Sequence, residues 1–151
     1  MEQVKTRGFE LITKYSKNEE LLPRRSTSQS AGYDFMSAMN TKIEPNEIKL
    51  IPLGVKAYMQ QGEVLCLFDR SSNPKKKGLV LINSVGVIDK DYYNNPDNEG
   101  HIYAQMKNIT NETVFIQKGD RIVQGIFLPF LIADNDSASA TRVGGFGSTG
   151  K

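Results

Sequence analysis

Three segments of this chain gather residue types able to do chemistry. The C-terminal run Arg142-Val143-Gly144-Gly145-Phe146-Gly147-Ser148-Thr149-Gly150-Lys151 sets four glycines and two hydroxyls around one aromatic ring and one arginine. Glycines let the backbone turn N–H groups toward an anion, hydroxyls add donors, and a guanidinium supplies a planar charged fork. The segment therefore suits phosphate, with Phe146 able to stack on a base. It is not a Walker A loop, because the Gly-x-x-x-x-Gly-Lys-Ser/Thr order fails and no helix-forming sequence follows. Read alone, it serves equally well as a plain Gly/Ser tail.

The second segment, Asp69-Arg70-Ser71-Ser72-Asn73-Pro74-Lys75-Lys76-Lys77-Gly78, breaks from an apolar run into a loop of donors. Arg70 and Ser71 stand at the strand end, where an anion would meet them, although such donors can also tie down their own loop. Lys75 and Lys76 read as solvated charges. The third segment, Ile82 to Tyr92, delivers two carboxylates and a phenol together. A carboxylate held at Asp89 can accept a proton from water, and Tyr92 can lie flat against a sugar with no room for an extra hydroxyl. As a blander alternative, Asp89-Lys90-Asp91 is a common polar turn. His101, the one histidine, stands in a polar stretch that predicts solvation, and there is no His/Cys cluster for zinc. Cys66, the one cysteine, sits within Val64-Leu65-Cys66-Leu67-Phe68 and reads as a buried small hydrophobe.

Strands have to position these segments. Apolar residues alternate at Val55, Ala57 and Met59 and again at Ile102, Ala104 and Met106, whereas sustained helical spacing is nearly absent. The denser runs 64–68, 79–82 and 122–131 predict strands buried on both faces. Gln60-Gln61-Gly62 and Lys118-Gly119-Asp120 predict hairpin turns, and Ser16 to Leu22 supplies at most a short helical turn. Tyr93 to Gly100 is polar and turn-rich, which predicts an exposed excursion. The expected fold is all-β, a distorted jelly-roll-like β-barrel over residues 1–132, followed by a flexible Gly-rich arm over 133–151. A chain of 151 residues, 38% hydrophobic and 24% charged, suits one globular domain, and its net charge of +2 offers no broad field for nucleic acid or an anionic membrane. Met1-Glu2-Gln3-Val4-Lys5 carries no apolar leader and no run reaches membrane length, so the expected location is cytoplasmic.

Five stretches in order resemble the motifs of the dUTPases, the trimeric deoxyuridine triphosphate nucleotidohydrolases. Ala31-Gly32-Tyr33-Asp34-Phe35 is similar to the first motif, Arg70-Ser71-Ser72 with Lys77-Gly78 to the second, and Gly86-Val87-Ile88-Asp89-Lys90-Asp91-Tyr92 to the third. Gly119-Asp120-Arg121-Ile122-Val123-Gln124 resembles the fourth and Gly144-Gly145-Phe146-Gly147-Ser148-Thr149-Gly150 the fifth. The resemblance implies hydrolysis of dUTP to dUMP and pyrophosphate by Mg²⁺-assisted attack of water on the α-phosphorus. That activity keeps uracil out of DNA and supplies dUMP for thymidylate synthesis.

It also implies roles for residues. Asp89 would be the general base, with Gln124 near the α-phosphate and the attacking water. Arg70, Ser71, Ser72, Arg142, Gly147, Ser148 and Thr149 would hold phosphates. Asn83, Gly86, Tyr92, Ile102, Tyr103 and Phe146 would hold uracil and deoxyribose, with main-chain groups of a hairpin through Ile102 to Ala104 reading the base edge. Mg²⁺ would be held through substrate phosphates and water, with Asp34 in its second shell. The family is a homotrimer whose sites are shared between chains and closed by the C-terminal arm.

Three departures stand out. Asp69 replaces the usual proline, Phe35 replaces a leucine, and Arg142 lies one residue nearer the glycines than in the common tail. Residues 93–99 are an insertion beside Tyr92, read either as a neutral loop or as a place for a protein partner. Two other functions fit the same resemblance less well: a dCTP deaminase-like enzyme, and a nucleotide-sensing module acting on a partner through 93–99.

Overall fold

The computed structural model describes residues 4–145. Among them lie twelve strands: β1 (Gly8–Leu11), β2 (Arg24–Arg25), β3 (Tyr33–Met36), β4 (Thr41–Ile43), β5 (Ile48–Pro52), β6 (Val55–Tyr58), β7 (Glu63–Asp69), β8 (Leu79–Leu81), β9 (Val85–Ile88), β10 (Tyr103–Asn108), β11 (Val114–Ile116) and β12 (Arg121–Pro129). They form the sheets β2-β3-β12-β7-β9, β5-β10-β8, β1-β6 and β4-β11. The architecture is all-β and jelly-roll-like, but these ladders do not close into one continuous barrel. Among the described residues no helix is long and apolar enough to cross a membrane.

Side-chain alternation becomes burial most plainly in β10, where Ala104, Met106 and Asn108 are buried and Tyr103, Gln105 and Lys107 half-exposed. Phe35, Ile43, Ile51, Leu53, Leu65, Leu67, Leu79, Ile102 and Ile122 meet in the core. Phe9 contacts Phe35 edge-on, with ring centroids 5.3 Å apart.

The dense apolar runs are not buried on both faces. In β7 only Leu65 and Leu67 are fully inside, while Val64, Cys66 and Phe68 are half-exposed. Its neighbour β9 exposes Val87 at 60%, and the end of β12 leads to Phe130 at 45% and Leu131 at 97%. The sheet packs on the core with one face, so the other carries apolar side chains that this chain does not cover. Cys66 is accordingly half-exposed rather than buried, although burial and the nearby Asp89 push its thiol pKa up.

The two expected hairpins are also corrected. Gln60-Gln61-Gly62 is a turn, but β6 pairs with β1 while β7 pairs with β12 and β9. Lys118-Gly119-Asp120 likewise carries the chain from β11, paired with β4, to β12, paired with β3 and β7. Both turns switch sheets. The expected helical turn is realised as two short 3₁₀ segments, Thr13–Tyr15 and Glu19–Leu21.

Candidate active site

The third chemical segment is positioned by pairing of β7 with β9, which sets Leu65 opposite Ile88, Leu67 opposite Gly86 and Phe68 opposite Val85. Gly86 admits this approach, since a Cβ there would stand 3.1 Å from the Leu67 side chain. Beyond Ile88 the chain leaves the sheet in a 3₁₀ turn, Lys90–Tyr92, with the Tyr92 amide donating to the Asp89 carbonyl at 3.1 Å. The turn leaves Asp89 at the rim and drives the Tyr92 ring inward to 6% exposure. Between them opens a cavity of about 170 Å³ whose walls include Asn83, Gly86, Asp89, Tyr92, Tyr103 and Arg142. Burial pushes the Tyr92 phenol pKa up, against the opposing hydrogen bond from Asn98. At the mouth, Arg142 Nη2 lies 2.6 Å from Asp89 Oδ2 and its Nε donates to Asp91 Oδ1 at 2.7 Å. Gly145 follows the ring so closely that a Cβ would collide with Tyr92.

A second cluster forms around the start of the 70–78 loop. Asp69 is its anchor: Oδ1 accepts from the Arg70 amide at 2.9 Å and from Asn73 Nδ2 at 2.6 Å, and Oδ2 accepts from the Leu81 amide at 3.0 Å. The Asp69 carbonyl accepts from Gln124 Nε2 at 3.0 Å. Gly32 makes room for Gln124, because a Cβ there would run into its Oε1. Asp34 accepts from Ser26 at 2.9 Å and faces Arg70 Nε at 3.5 Å and Arg121 Nη1 at 3.8 Å. Ser71 and Ser72 begin the turn that winds into one π-helical segment, Asn73–Lys77, ended by left-handed Gly78 at φ 67°. Lys77 is half-buried, with Nζ on the Arg121 carbonyl at 3.1 Å; burial and then the Arg70 charge push its pKa down. A cavity wall able to face a base and sugar, a carboxylate at its mouth and a separate cluster of anion donors are the parts that a nucleotide site requires.

The comparisons with known proteins agree. The family model described as dUTPase matches residues 18–150. The chain belongs to the dUTPase family. It is 64% identical over 149 residues to the deoxyuridine 5'-triphosphate nucleotidohydrolase of Lactococcus lactis, covering 97% of this chain and 99% of that one. It also resembles the dUTPase crystal structure from Streptococcus mutans, with 66% identity and a TM-score of 0.83 over 85% of this chain and 99% of that one. A phage phi11 dUTPase from S. aureus, in which a structural Mg(II) ion is coordinated, shares the fold at 23% identity and a TM-score of 0.70 over 90% of this chain and 98% of that one.

Within this dUTPase chain the expected site residues divide. Asp89, Asn83, Gly86, Tyr92, Tyr103 and Arg142 line one cavity, whereas Asp34, Arg70, Ser71, Ser72 and Gln124 are not among its lining. Asn83 precedes the Val85–Phe68 pair and so stands toward the Arg70 end of β7, whereas Asp89 follows the Ile88–Leu65 pair and lies toward the opposite end from Arg70. At roughly 3.3 Å per strand residue, that separation is on the order of 15–20 Å.

Ile102 does not form the cavity wall. Its side chain is fully buried, its amide donates to the Val55 carbonyl at 2.9 Å and its carbonyl accepts from the Leu53 amide at 3.1 Å. Nor is the stretch through Ala104 a hairpin, since it enters β10 between β5 and β8. His101 is buried rather than solvated, with Nε2 accepting from the Gly54 amide at 2.9 Å and its ring 4.4 Å from that of Tyr103. Phe146, Gly147, Ser148 and Thr149 lie outside the described residues. Asp91, Gly145 and Asp69 join the clusters without having been assigned roles. Asp91 and Gly145 sit inside motifs, and the displaced proline was the signal for Asp69.

Proposed function

We propose that this chain hydrolyses dUTP to dUMP and pyrophosphate, with Asp89 as the general base. The observation that carries the reading is Asp89 at the mouth of a cavity walled by Asn83, Gly86, Tyr92 and Tyr103 in a dUTPase chain. Uracil and deoxyribose enter that cavity, with the Tyr92 ring against the sugar. The Asp89 carboxylate takes a proton from water as the water oxygen bonds to the α-phosphorus. The bond from that phosphorus to the α,β-bridging oxygen breaks, and pyrophosphate leaves with the electron pair. Arg70, Ser71, Ser72 and Gln124 orient the phosphates, and Arg142 with Gly147, Ser148 and Thr149 closes over them, Phe146 covering the base.

Asp89 and the Arg70–Ser71 donors must reach one α-phosphorus, yet one chain holds them at opposite ends of β7. A second copy therefore completes the site, which supports the homotrimer with shared sites. The uncovered apolar residues Val87, Phe130 and Leu131 suit burial between copies.

The residues fit Mg²⁺ as an ion carried on the triphosphate. Asp34, held by Ser26, Arg70 and Arg121 beside the proposed phosphate donors, would accept a hydrogen bond from a water on that ion. Bound through phosphates and water, the ion supplies charge neutralisation. A nucleotide substrate and a lone cysteine accord with a cytoplasmic location.

Assaying dUTP, dCTP, dTTP and UTP with Mg²⁺ tests the reading. Pyrophosphate from dUTP alone supports it; ammonia from dCTP points to the deaminase, and dUTP binding without turnover to the sensing module.

A further inference from the structure

The insertion at residues 93–99 is not a freely exposed excursion. Asn95 is 5% exposed, and its Nδ2 donates to the Tyr92 carbonyl at 2.7 Å and to Asn98 Oδ1 at 2.8 Å. Asn95 Oδ1 in turn accepts from the amides of Asp97 at 3.0 Å and Asn98 at 3.2 Å. Gly100 closes the loop at φ 91°, where a Cβ would stand 2.8 Å from the Tyr92 carbonyl oxygen and 2.9 Å from the Asn94 nitrogen. Outside the loop, Glu99 accepts from Lys56 Nζ at 2.9 Å and from Thr13 Oγ1 at 3.0 Å, and Tyr93 donates to Glu10. The insertion is thus bonded within itself and to the strands beneath it.

All of this converges on one hydroxyl. Tyr92 Oη donates to the His101 carbonyl at 2.5 Å and accepts from Asn98 Nδ2 at 2.8 Å. Asn98 is itself oriented, its Oδ1 accepting from Asn95 and from the Gly100 amide at 3.0 Å. The phenol is therefore fixed at its tip by Asn98 of the insertion and by the His101 carbonyl, and at its root by the 3₁₀ turn, and it offers the cavity its ring.

We infer that Asn98 is a positioning residue for substrate specificity, holding the Tyr92 ring rigid against the sugar so that a 2'-hydroxyl is refused. The inference rests on the reading that Tyr92 faces the deoxyribose. An apolar surface alone rejects an added hydroxyl by only about 10²-fold, because the surface yields and the ligand shifts. A wall that cannot retreat leaves the hydroxyl neither space nor a partner, so discrimination depends on what stands behind the ring.

The test compares kcat/KM for dUTP and UTP in the native enzyme and in Asn98→Ala, Tyr92→Phe and the double variant. Asn98→Ala is expected to raise UTP use relative to dUTP about tenfold, the scale of one lost hydrogen bond. Tyr92→Phe keeps the bonds within the insertion but removes both bonds of the hydroxyl, to Asn98 and to the His101 carbonyl, so it tests the tether even where Asn98→Ala folds poorly and should give at least as large a rise. The double variant should rise no further than Tyr92→Phe alone. An unchanged UTP/dUTP ratio in Tyr92→Phe, or multiplying effects in the double variant, would overturn the inference. Absence of dUTP hydrolysis by the native enzyme, or a ratio unmoved by Tyr92→Ala, would instead remove the underlying reading and the inference with it.

Discussion

Arg142 lies across the mouth of the cavity with its guanidinium 2.6 Å from the Asp89 carboxylate, although the two residues are far apart in sequence. The arm thus holds, through Arg142, the group proposed to take the proton. The role proposed for Arg142 on the phosphates requires a triphosphate to compete for that guanidinium and release the carboxylate. Deleting residues 142–151 should leave the strands intact by circular dichroism and lower kcat/KM for dUTP at least about tenfold. Unchanged kinetics would refute closure by the arm.

The separation of Asp89 from Arg70 and Ser71 along β7 makes a prediction about mixed assemblies. Asp89→Asn and Ser71→Ala chains should each be nearly inactive alone. Refolded together in equal amounts, they should recover roughly a quarter of native activity, because random assembly rebuilds some sites from two unaltered halves. No recovery in oligomers shown to be mixed would place the whole site within one chain.

Asp69 anchors the loop proposed to hold phosphates, at the position where the resemblance implies a proline. Asp69→Ala leaves the amides of Arg70 and Leu81 without their acceptor, and Asn73 Nδ2 with the Ile122 carbonyl alone, at a cost of about 1–3 kcal/mol in urea unfolding. The loosened loop should raise KM for dUTP about tenfold and change kcat less. Asp69→Asn keeps an oxygen acceptor and should fall between the two.

His101 gives stability a pH dependence. Burial, aided by the Lys14 charge and opposed by Glu99, pushes its pKa from 6.5 down to about 4. Between those values the unfolded chain binds more protons, so this contribution is fully present above pH 6.5 and is lost as the pH falls toward 4, by about 3 kcal/mol. Urea unfolding of the native chain and His101→Gln from pH 7.5 to 4.5 should show a shallower decline in the variant. Parallel declines would contradict the assignment.

Local patterns were legible in the sequence where local forces decide the outcome. The alternation of Ile102, Ala104 and Met106 gave the inward face of β10, and the third motif brought Asp89 and Tyr92 to one cavity. What stayed hidden depends on distant partners. Gly62 and Gly119 announce turns, but which strand pairs with which is settled by residues far along the chain. His101 lies among polar neighbours in sequence, yet Gly54 and the rings of Tyr15 and Tyr103 surround it in space. The polar insertion read as exposed because Asn95 and Asn98 are hydrophilic, whereas their amides bond inward to Tyr92.

The most direct measurement is pyrophosphate release from dUTP with Mg²⁺ at saturating substrate, comparing the native chain with Asp89→Asn, alongside dUTP binding by each. Native turnover with a loss of about 10²–10⁴-fold in the variant, and dUTP still bound, is the result expected for a general base. Turnover by Asp89→Asn equal to that of the native chain would contradict it.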